Sequence, residues 1–311
     1  MGQPILVTGS AGFIGSHVCG MLASGTSDGR VVGLDLAAMS APRTFSADVR
    51  CPNQLRHIAS IVQPGTVVHL AAKAEVVIPF EELADLMVTN VNGTINVLDA
   101  MHPERIVLAS SSAVYGNASG RGALARWSCV NPVGAYGISK AAAEFACAEW
   151  VRTTRGTAVS LRFGNVIGPR CRGLIAYLVE HAIANPRADR PAQLRGDGQV
   201  VRDYVPIGYV ASVIKLATEL PLPRGSSAIF NVGSGRGMTN RTVAGIVQGV
   251  LARNGLKLAM EFSKSVAPGE AWHLVLDTGA TTRKLGLAAP TEDDVAEAIE
   301  DAALDYLALA S

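Results

Sequence analysis

The stretch Pro4-Ile5-Leu6-Val7-Thr8-Gly9-Ser10-Ala11-Gly12-Phe13-Ile14-Gly15 decides how the rest of the chain is read. Ile5 to Val7 is a short apolar run of the kind that forms a buried strand. Three glycines follow at three-residue spacing, and Phe13-Ile14 with the run from His17 to Ala23 predicts a helix. Strand, glycine turn and helix N-terminus together cradle an anion: glycines let the backbone approach the ligand, and the free N–H groups of the first helical turn face its negative charge. A three-glycine motif alone also fits a plain turn, so the surroundings must decide.

Arg30-Val31-Val32-Gly33-Leu34-Asp35 reads as a second strand ending in an acid, and Asp35 lies 20 residues beyond Gly15. A dinucleotide fold places a carboxylate there against the adenosine ribose hydroxyls, and its charge repels a 2′-phosphate, which favours NAD over NADP. Asp48-Val49 is placed to line the adenine. Val67 to Ala72 and Arg105 to Ala109 are further strands, separated by a helical pattern from about Glu82 to Met101 that contains Asn90-Val91-Asn92-Gly93-Thr94. Strands alternating with helices predict an α/β fold with a doubly wound parallel sheet, with ligands at the carboxyl ends of the strands.

The bulk properties agree with a soluble globular protein. The 311 residues are 49% hydrophobic and 17% charged with a formal charge of +1, so neither a nucleic-acid surface nor a charged tail is indicated. The first strand begins at once, leaving no room for a signal segment, and every apolar stretch is broken well short of a membrane span. A cytoplasmic protein with no membrane partner is expected. The five cysteines are scattered without a CxxC pair, and no metal site is expected.

Further along, Asn131 to Ala148 contains Tyr136 and Lys140, four apart and therefore on one helical face. Val159 to Phe163 is strand-like and leads into Gly164-Asn165-Val166-Ile167-Gly168-Pro169-Arg170. Beyond this the alternation loosens. Residues 1–170 are read as the cofactor domain and 171–311 as a smaller substrate lobe with segments returning to the first, closed by a helix from Glu292 to Leu309.

With these motifs assembled, the chain resembles the extended short-chain dehydrogenase/reductase superfamily in its NAD-dependent epimerase/dehydratase branch. The resemblance runs through Thr8 to Gly15, Asp35, His69 to Ala72, Ser110 to Gly116, Tyr136 to Lys140, Arg162 to Pro169, Arg202 to Tyr204 and Asn231 to Gly235. It implies a Rossmann domain with a C-terminal α/β substrate lobe, and a homodimer paired through the helix after Tyr136 and the helix before Met101. It also implies NAD held by Gly9, Gly12, Phe13, Ile14 and Gly15, by Asp35, Asp48 and Val49, by Leu70, Ala71, Ala72 and Lys73, and by Tyr136 and Lys140. Ser111, Tyr136 and Lys140 take the catalytic roles, with Ser110 and Ser112 as competing assignments for the serine. His69 resembles a loop-shaping residue. A tyrosine has an ordinary pKa of about 10, and Lys140 with the positive nicotinamide is expected to favour its phenolate.

The departures are equally legible. Relatives that perform 4,6-dehydration resemble one another in an Asp-Glu pair after the catalytic Ser/Thr, where this chain has Ser112-Ala113. Simple 4-epimerisation needs no such pair. Lys73 and Glu75 are unusual near the reactive end of the cofactor: they are either a solvated ion pair or, for Glu75 above all, the acid/base for an elimination. Asn165, Arg202, Arg195 and Ser112 are the expected substrate contacts. A second phosphate-binding arginine is replaced by Ala267, and Arg195 stands where an aromatic is usual. These two changes leave open an unphosphorylated or monophosphorylated nucleoside substrate beside the nucleotide-linked sugar. A net reductase and a non-catalytic NAD-binding scaffold are the remaining alternatives.

Overall fold

In the computed structural model, the described residues are 3–24, 30–37, 43–117, 122–264 and 271–310. Ala267 therefore lies outside them. The apolar run at the amino end forms β1 (Ile5–Thr8), whose Leu6 and Val7 are wholly buried because β1 is central and covered on both faces. It pairs with β2 (Val31–Asp35) on one side and β4 (Thr66–His69) on the other. β3 (Thr44–Ser46) extends the sheet beyond β2; β5 (Arg105–Ser111), β6 (Thr157–Phe163) and β10 (Ser227–Val232) extend it beyond β4. Every pairing is parallel. The order β3-β2-β1-β4-β5-β6-β10 reverses direction between β1 and β4, the switch point at which such sheets open a crevice.

Helices cover both faces. α1 (Phe13–Ser24) and α7 (Ile207–Glu219) pack together over the core that contains Val18, Leu22, Val210 and Ile214. On the other side lie α2 (Pro52–Val62), α4 (Gly93–Met101) and α5 (Ala135–Thr154). The helical pattern expected from Glu82 to Met101 is one run of changing pitch. A 3-10 turn leads into α3 (Leu83–Met87), and a π-helical turn over Val88–Asn92 joins it to α4. The final helix, α10 (Glu292–Ala310), matches its expected extent.

α10 packs with α6 (Leu174–Ala184) and α8 (Asn240–Arg253) around Leu178, Val247 and Ile299. Beside them β9 (Val201–Pro206) pairs with β7 (Asn165–Ile167), β11 (Gly237–Thr239) and β13 (His273–Leu274). β8 (Ala192–Leu194) pairs with β12 (Met260–Phe262), and α9 (Gly279–Leu285) packs on β10.

Candidate active site

The glycine turn begins where β1 ends. Gly9 has φ +70°, and a Cβ there would lie 2.7 Å from the Ala71 nitrogen, so both backbone angle and space require glycine. A Cβ on Gly15 would meet the Gly9 carbonyl, which lets α1 close directly on the turn. Asp35, at the tip of β2, accepts the Ala11 N–H at 2.9 Å through one oxygen and the Ala37 N–H at 3.1 Å through the other. A cavity of about 260 Å³ runs from Asp35, Asp48 and Val49 past Gly9, Ala71 and Lys73. Through Gly12, Leu70 and Ala72 it joins a cleft of about 810 Å³ lined by Phe13, Ile14, Gly15, Val76 and Asn165. A backbone stripped of side chains, a helix N-terminus and a carboxylate at the far end fit a dinucleotide.

A buried polar chain ties this cradle to α5. The Thr94 hydroxyl donates to the Asn90 carbonyl at 2.7 Å, so it accepts from His69 Nε2 at 3.1 Å. That leaves His69 Nδ1 to accept from the Thr8 hydroxyl at 2.7 Å, while the Thr8 oxygen receives the Ala71 N–H at 3.2 Å. Asn90, turned inward by the π-helical turn, accepts the Lys73 N–H at 2.8 Å and donates to the Lys73 carbonyl and the Ser139 hydroxyl, each at 2.9 Å. Ser139 donates in turn to the Tyr136 carbonyl at 2.8 Å. Sequence reasoning singled out no role for Asn90, because helical periodicity does not announce a π turn.

His69 is neutral in this chain of bonds, and burial, with a smaller contribution from Lys140, pushes its pKa down to about 3. An unfolded histidine titrates near 6.5, so the folded group's depressed pKa gives stability that is complete above that pH and lost as pH falls toward 3. At pH 4.5 the loss from this one group is about 3 kcal/mol. His69→Gln is expected to remove that part of the acid sensitivity, checked by comparing urea unfolding of both proteins at pH 7 and 4.5.

The reaction centre forms where α5 meets the end of β5. A Cβ on Gly137 would lie 2.5 Å from the Ala113 carbonyl oxygen, so glycine lets α5 press against the turn Ser112–Tyr115. There the Tyr136 phenol faces the Ser111 side chain closely enough for a hydrogen-bonding influence on its pKa. The neighbouring serines point elsewhere: Ser110 donates to Glu144 Oε1 at 2.5 Å, and Ser112 lines the adjacent cavity. Lys140, almost fully buried, donates through Nζ to the Ala109 carbonyl at 2.9 Å and sits 5.8 Å from the Tyr136 ring centroid. Burial pushes Lys140 down to about 8, with Glu144 pulling the other way.

For Tyr136 the chain's own groups do not by themselves favour the phenolate, whose expected stabilisation rests on Lys140 together with the nicotinamide charge. Burial pushes the tyrosine up to about 12; Ser111 opposes this and the nearby Glu75 carboxylate adds to it. Desolvation penalises the anion here, and the Lys140 ammonium is aimed at a carbonyl rather than at the phenol.

Next to Ser111 opens a cavity of about 270 Å³ lined by Ser112, Asn165, Arg195, Arg202 and an apolar wall that includes Val76, Val77 and Val133. Val76 and Asn165 also line the cofactor cleft, so the two spaces join at the reaction centre. Arg202 lies on β9 beside Asp203, a buried carboxylate that accepts from Ser234 N–H at 2.7 Å, the Ser234 hydroxyl at 2.8 Å, and the Gly235 and Leu276 N–H groups, each at 3.1 Å. The motifs around Arg202 and around Asn231 are thus two halves of one clamp. Arg195 lines the same cavity as Arg202, so two guanidinium-bearing side chains border it, while Ala267 lies outside the described residues.

Lys73 and Glu75 are not an ion pair with each other. Asn90 pins the Lys73 backbone, and the Lys73 ammonium pairs with Asp85. Arg50 bridges Asp85 to Asp48 on the adenosine side of the cleft. Lys73 is therefore removed from the reacting atoms. Glu75 is exposed, and its carboxylate is near enough to Tyr136 to disfavour the phenolate.

A sequence profile of the NAD-dependent epimerase/dehydratase family matches residues 5–233, from the first residue of β1 to just past β10. The chain belongs to this family. Among its relatives, the dTDP-L-rhamnose 4-epimerase of Burkholderia thailandensis is 29% identical over 300 residues, covering 79% of this chain and 80% of that protein. The structure of the UDP-glucose 4-epimerase of Thermotoga maritima with UDP-glucose superposes with a TM-score of 0.87 at 25% identity, covering 99% of this chain and 100% of the other. That of the Thermus thermophilus UDP-glucose 4-epimerase with NAD gives 0.82 at 29%, covering 98% and 99%. As a member of the NAD-dependent epimerase/dehydratase family, the protein is an NAD-dependent enzyme of the extended short-chain dehydrogenase/reductase type.

Proposed function

We propose that the protein is a redox-neutral epimerase of a nucleoside-diphosphate-linked sugar, working through a transient ketosugar at C4. The observation that carries this reading is the Ser111–Tyr136 pair at the junction of the cofactor cleft and a cavity holding two arginines. Two guanidinium groups suit a diphosphate, each adding charge-assisted hydrogen bonds that a neutral nucleoside lacks. This favours the nucleotide sugar over the unphosphorylated nucleoside.

When bound, oxidised nicotinamide supplies the hydride acceptor and a positive charge beside Tyr136. Tyr136 then takes the proton of the sugar hydroxyl, and Ser111 holds the same oxygen in line. Lys140, anchored on the Ala109 carbonyl with its Nζ 5.8 Å from the Tyr136 ring centroid, places a positive charge near the ring. After the ketosugar turns over, Tyr136 returns its proton to the carbonyl oxygen. Neither Ser112 nor Ala113 offers a second acid and base, which favours epimerisation over 4,6-dehydration. Incubation with NAD and a panel of UDP- and dTDP-sugars tests this by mass spectrometry: unchanged mass with altered retention and no net NADH supports it, and net NADH release refutes it.

The proximity of Glu75 to Tyr136 favours a second reading, an elimination in which Glu75 serves as acid/base. On that reading Glu75→Gln abolishes loss of water from the substrate and leaves NAD affinity unchanged; a fully active variant removes Glu75 from the mechanism.

A homodimer is supported by apolar side chains on the outer faces of the helices that carry the site. Val88, Ile95, Ile138 and Phe145 are 41%, 48%, 46% and 69% exposed, on the π-helical turn, α4 and α5. Burying this strip in a second copy's equivalent strip recovers its apolar area. Sedimentation at micromolar concentration is expected to give a dimer that Phe145→Glu converts to monomer. Among the described residues no helix is long and apolar enough to cross a membrane, and the five cysteines are unpaired, which supports a cytoplasmic setting.

A further inference from the structure

Resting on the proposed function, we infer that Glu144 is a positioning residue for the proton transfer, acting through Ser110 on the placement of Ser111 and through its charge on Lys140. Tyr136, Lys140 and Glu144 are spaced four apart and share one face of α5. They meet three consecutive residues at the end of β5. Lys140 Nζ donates to the Ala109 carbonyl at 2.9 Å, the Ser110 hydroxyl donates to Glu144 Oε1 at 2.5 Å, and the Tyr136 phenol faces Ser111. Ser110 ends a row begun by Ile106 and Leu108, which pack against Ala143, Cys147 and Val151 of the same helix. Apolar contacts are non-directional and hold the strand to the helix without fixing its end. The directional bond to Glu144 fixes the last step before Ser111.

The carboxylate is itself held from the next strand. Arg162 stands opposite Ser110 in the register of β5 with β6. It reaches Glu144 Oε1 through Nε at 2.9 Å and Oε2 through Nη2 at 2.7 Å, and both side chains are almost fully buried. Its Nη1 donates to the Arg126 carbonyl at 3.2 Å, and the guanidinium carbon lies 4.8 Å from the Tyr115 ring centroid. A two-point fork anchored on its other edge leaves the carboxylate one orientation. A buried ion pair gives little net stability over apolar side chains of similar size, so stability alone supplies no reason for this one. Glu144 also stands one turn from Lys140 and opposes the loss of its proton that burial favours. The other ionisable groups around Lys140 have different engagements. His69 on β4 is neutral, Tyr136 and Tyr115 are protonated phenols, Glu75 acts on Tyr136 from the loop after β4, and Arg162 is bound to Glu144.

Removing the carboxylate alone strands a buried guanidinium and endangers the fold, so the test uses Glu144→Gln/Arg162→Met together with Ser110→Ala. The double variant keeps a partner for Ser110 but loses the charge and the fork that orients it. With the NAD-loaded enzyme and a UDP- or dTDP-sugar that the wild type converts, its kcat is expected to fall roughly 10- to 100-fold. KM for the sugar is expected to stay within about threefold, because the loss falls on the proton transfer. Lys140 without its carboxylate gives up its proton more readily, so the decline of activity above neutrality is expected to begin about one pH unit lower. Ser110→Ala keeps the charge and loses the bond: kcat is expected to fall about 3- to 10-fold with the pH profile unmoved. A purely structural Glu144 would instead lower the urea midpoint and leave kcat and the pH profile of the folded double variant at wild type. That result overturns this inference and leaves the epimerase reading standing; if the double variant does not fold, Ser110→Ala at wild-type kcat does the same. A wild-type enzyme that binds NAD and converts no UDP- or dTDP-sugar overturns both.

Discussion

Tyr136→Phe is expected to lower kcat about 1000-fold, roughly 4 kcal/mol of barrier, with NAD affinity changed by less than about threefold. On the proposed mechanism the phenol takes the substrate's proton, and its ring remains in the variant to fill the same space against α5. The effect belongs to kcat because the hydroxyl's work is done as the proton moves. A variant that retains a tenth of the activity would assign the base elsewhere, with Glu75 the nearest carboxylate with a defined influence on Tyr136. Since burial, offset in part by Ser111 and reinforced by Glu75, pushes Tyr136 to about 12, the wild-type rate is expected to rise with pH through neutrality as the phenolate fraction grows.

Gly9→Ala is expected to weaken NAD binding about 100-fold, or about 3 kcal/mol. An alanine at φ +70° is strained, and its methyl would press on the Ala71 backbone, which separates the end of β1 from the loop after β4. Those two segments form the floor of the cofactor cleft. Calorimetric titration with NAD reads the loss, and circular dichroism confirms that the variant is folded. Affinity within threefold of wild type would show that the turn tolerates a side chain and does not set the approach of the pyrophosphate.

The parallel sheet was legible because its central strands are buried on both faces and read as unbroken apolar runs, from Ile5 to Val7 and from Ile106 to Ala109. β3 was not, since three residues carry no periodicity. The partner of Lys73 was also hidden: sequence proximity suggested Glu75, whereas a helix start folded back over the loop supplies Asp85. Arg195 read both as the loss of an aromatic and as a substrate contact, and the tertiary arrangement puts it on the same cavity as Arg202. Tyr136 and Lys140 were visible as a pair because one helical turn is a local rule. Their electrostatics were not local. The desolvation that raises Tyr136 comes from the strand, turn and loop packed around it, none of which the four-residue spacing describes.

The central claim is that hydride leaves the sugar and returns to it within one turnover. A nucleotide sugar deuterated at C4, incubated with the NAD-loaded enzyme in ordinary water and followed by NMR, tests it most directly. The C4 epimer is expected to appear with its deuterium retained at C4 and with no NADH accumulating. An epimer that has exchanged its deuterium for solvent hydrogen, or a product formed with stoichiometric NADH, would contradict it.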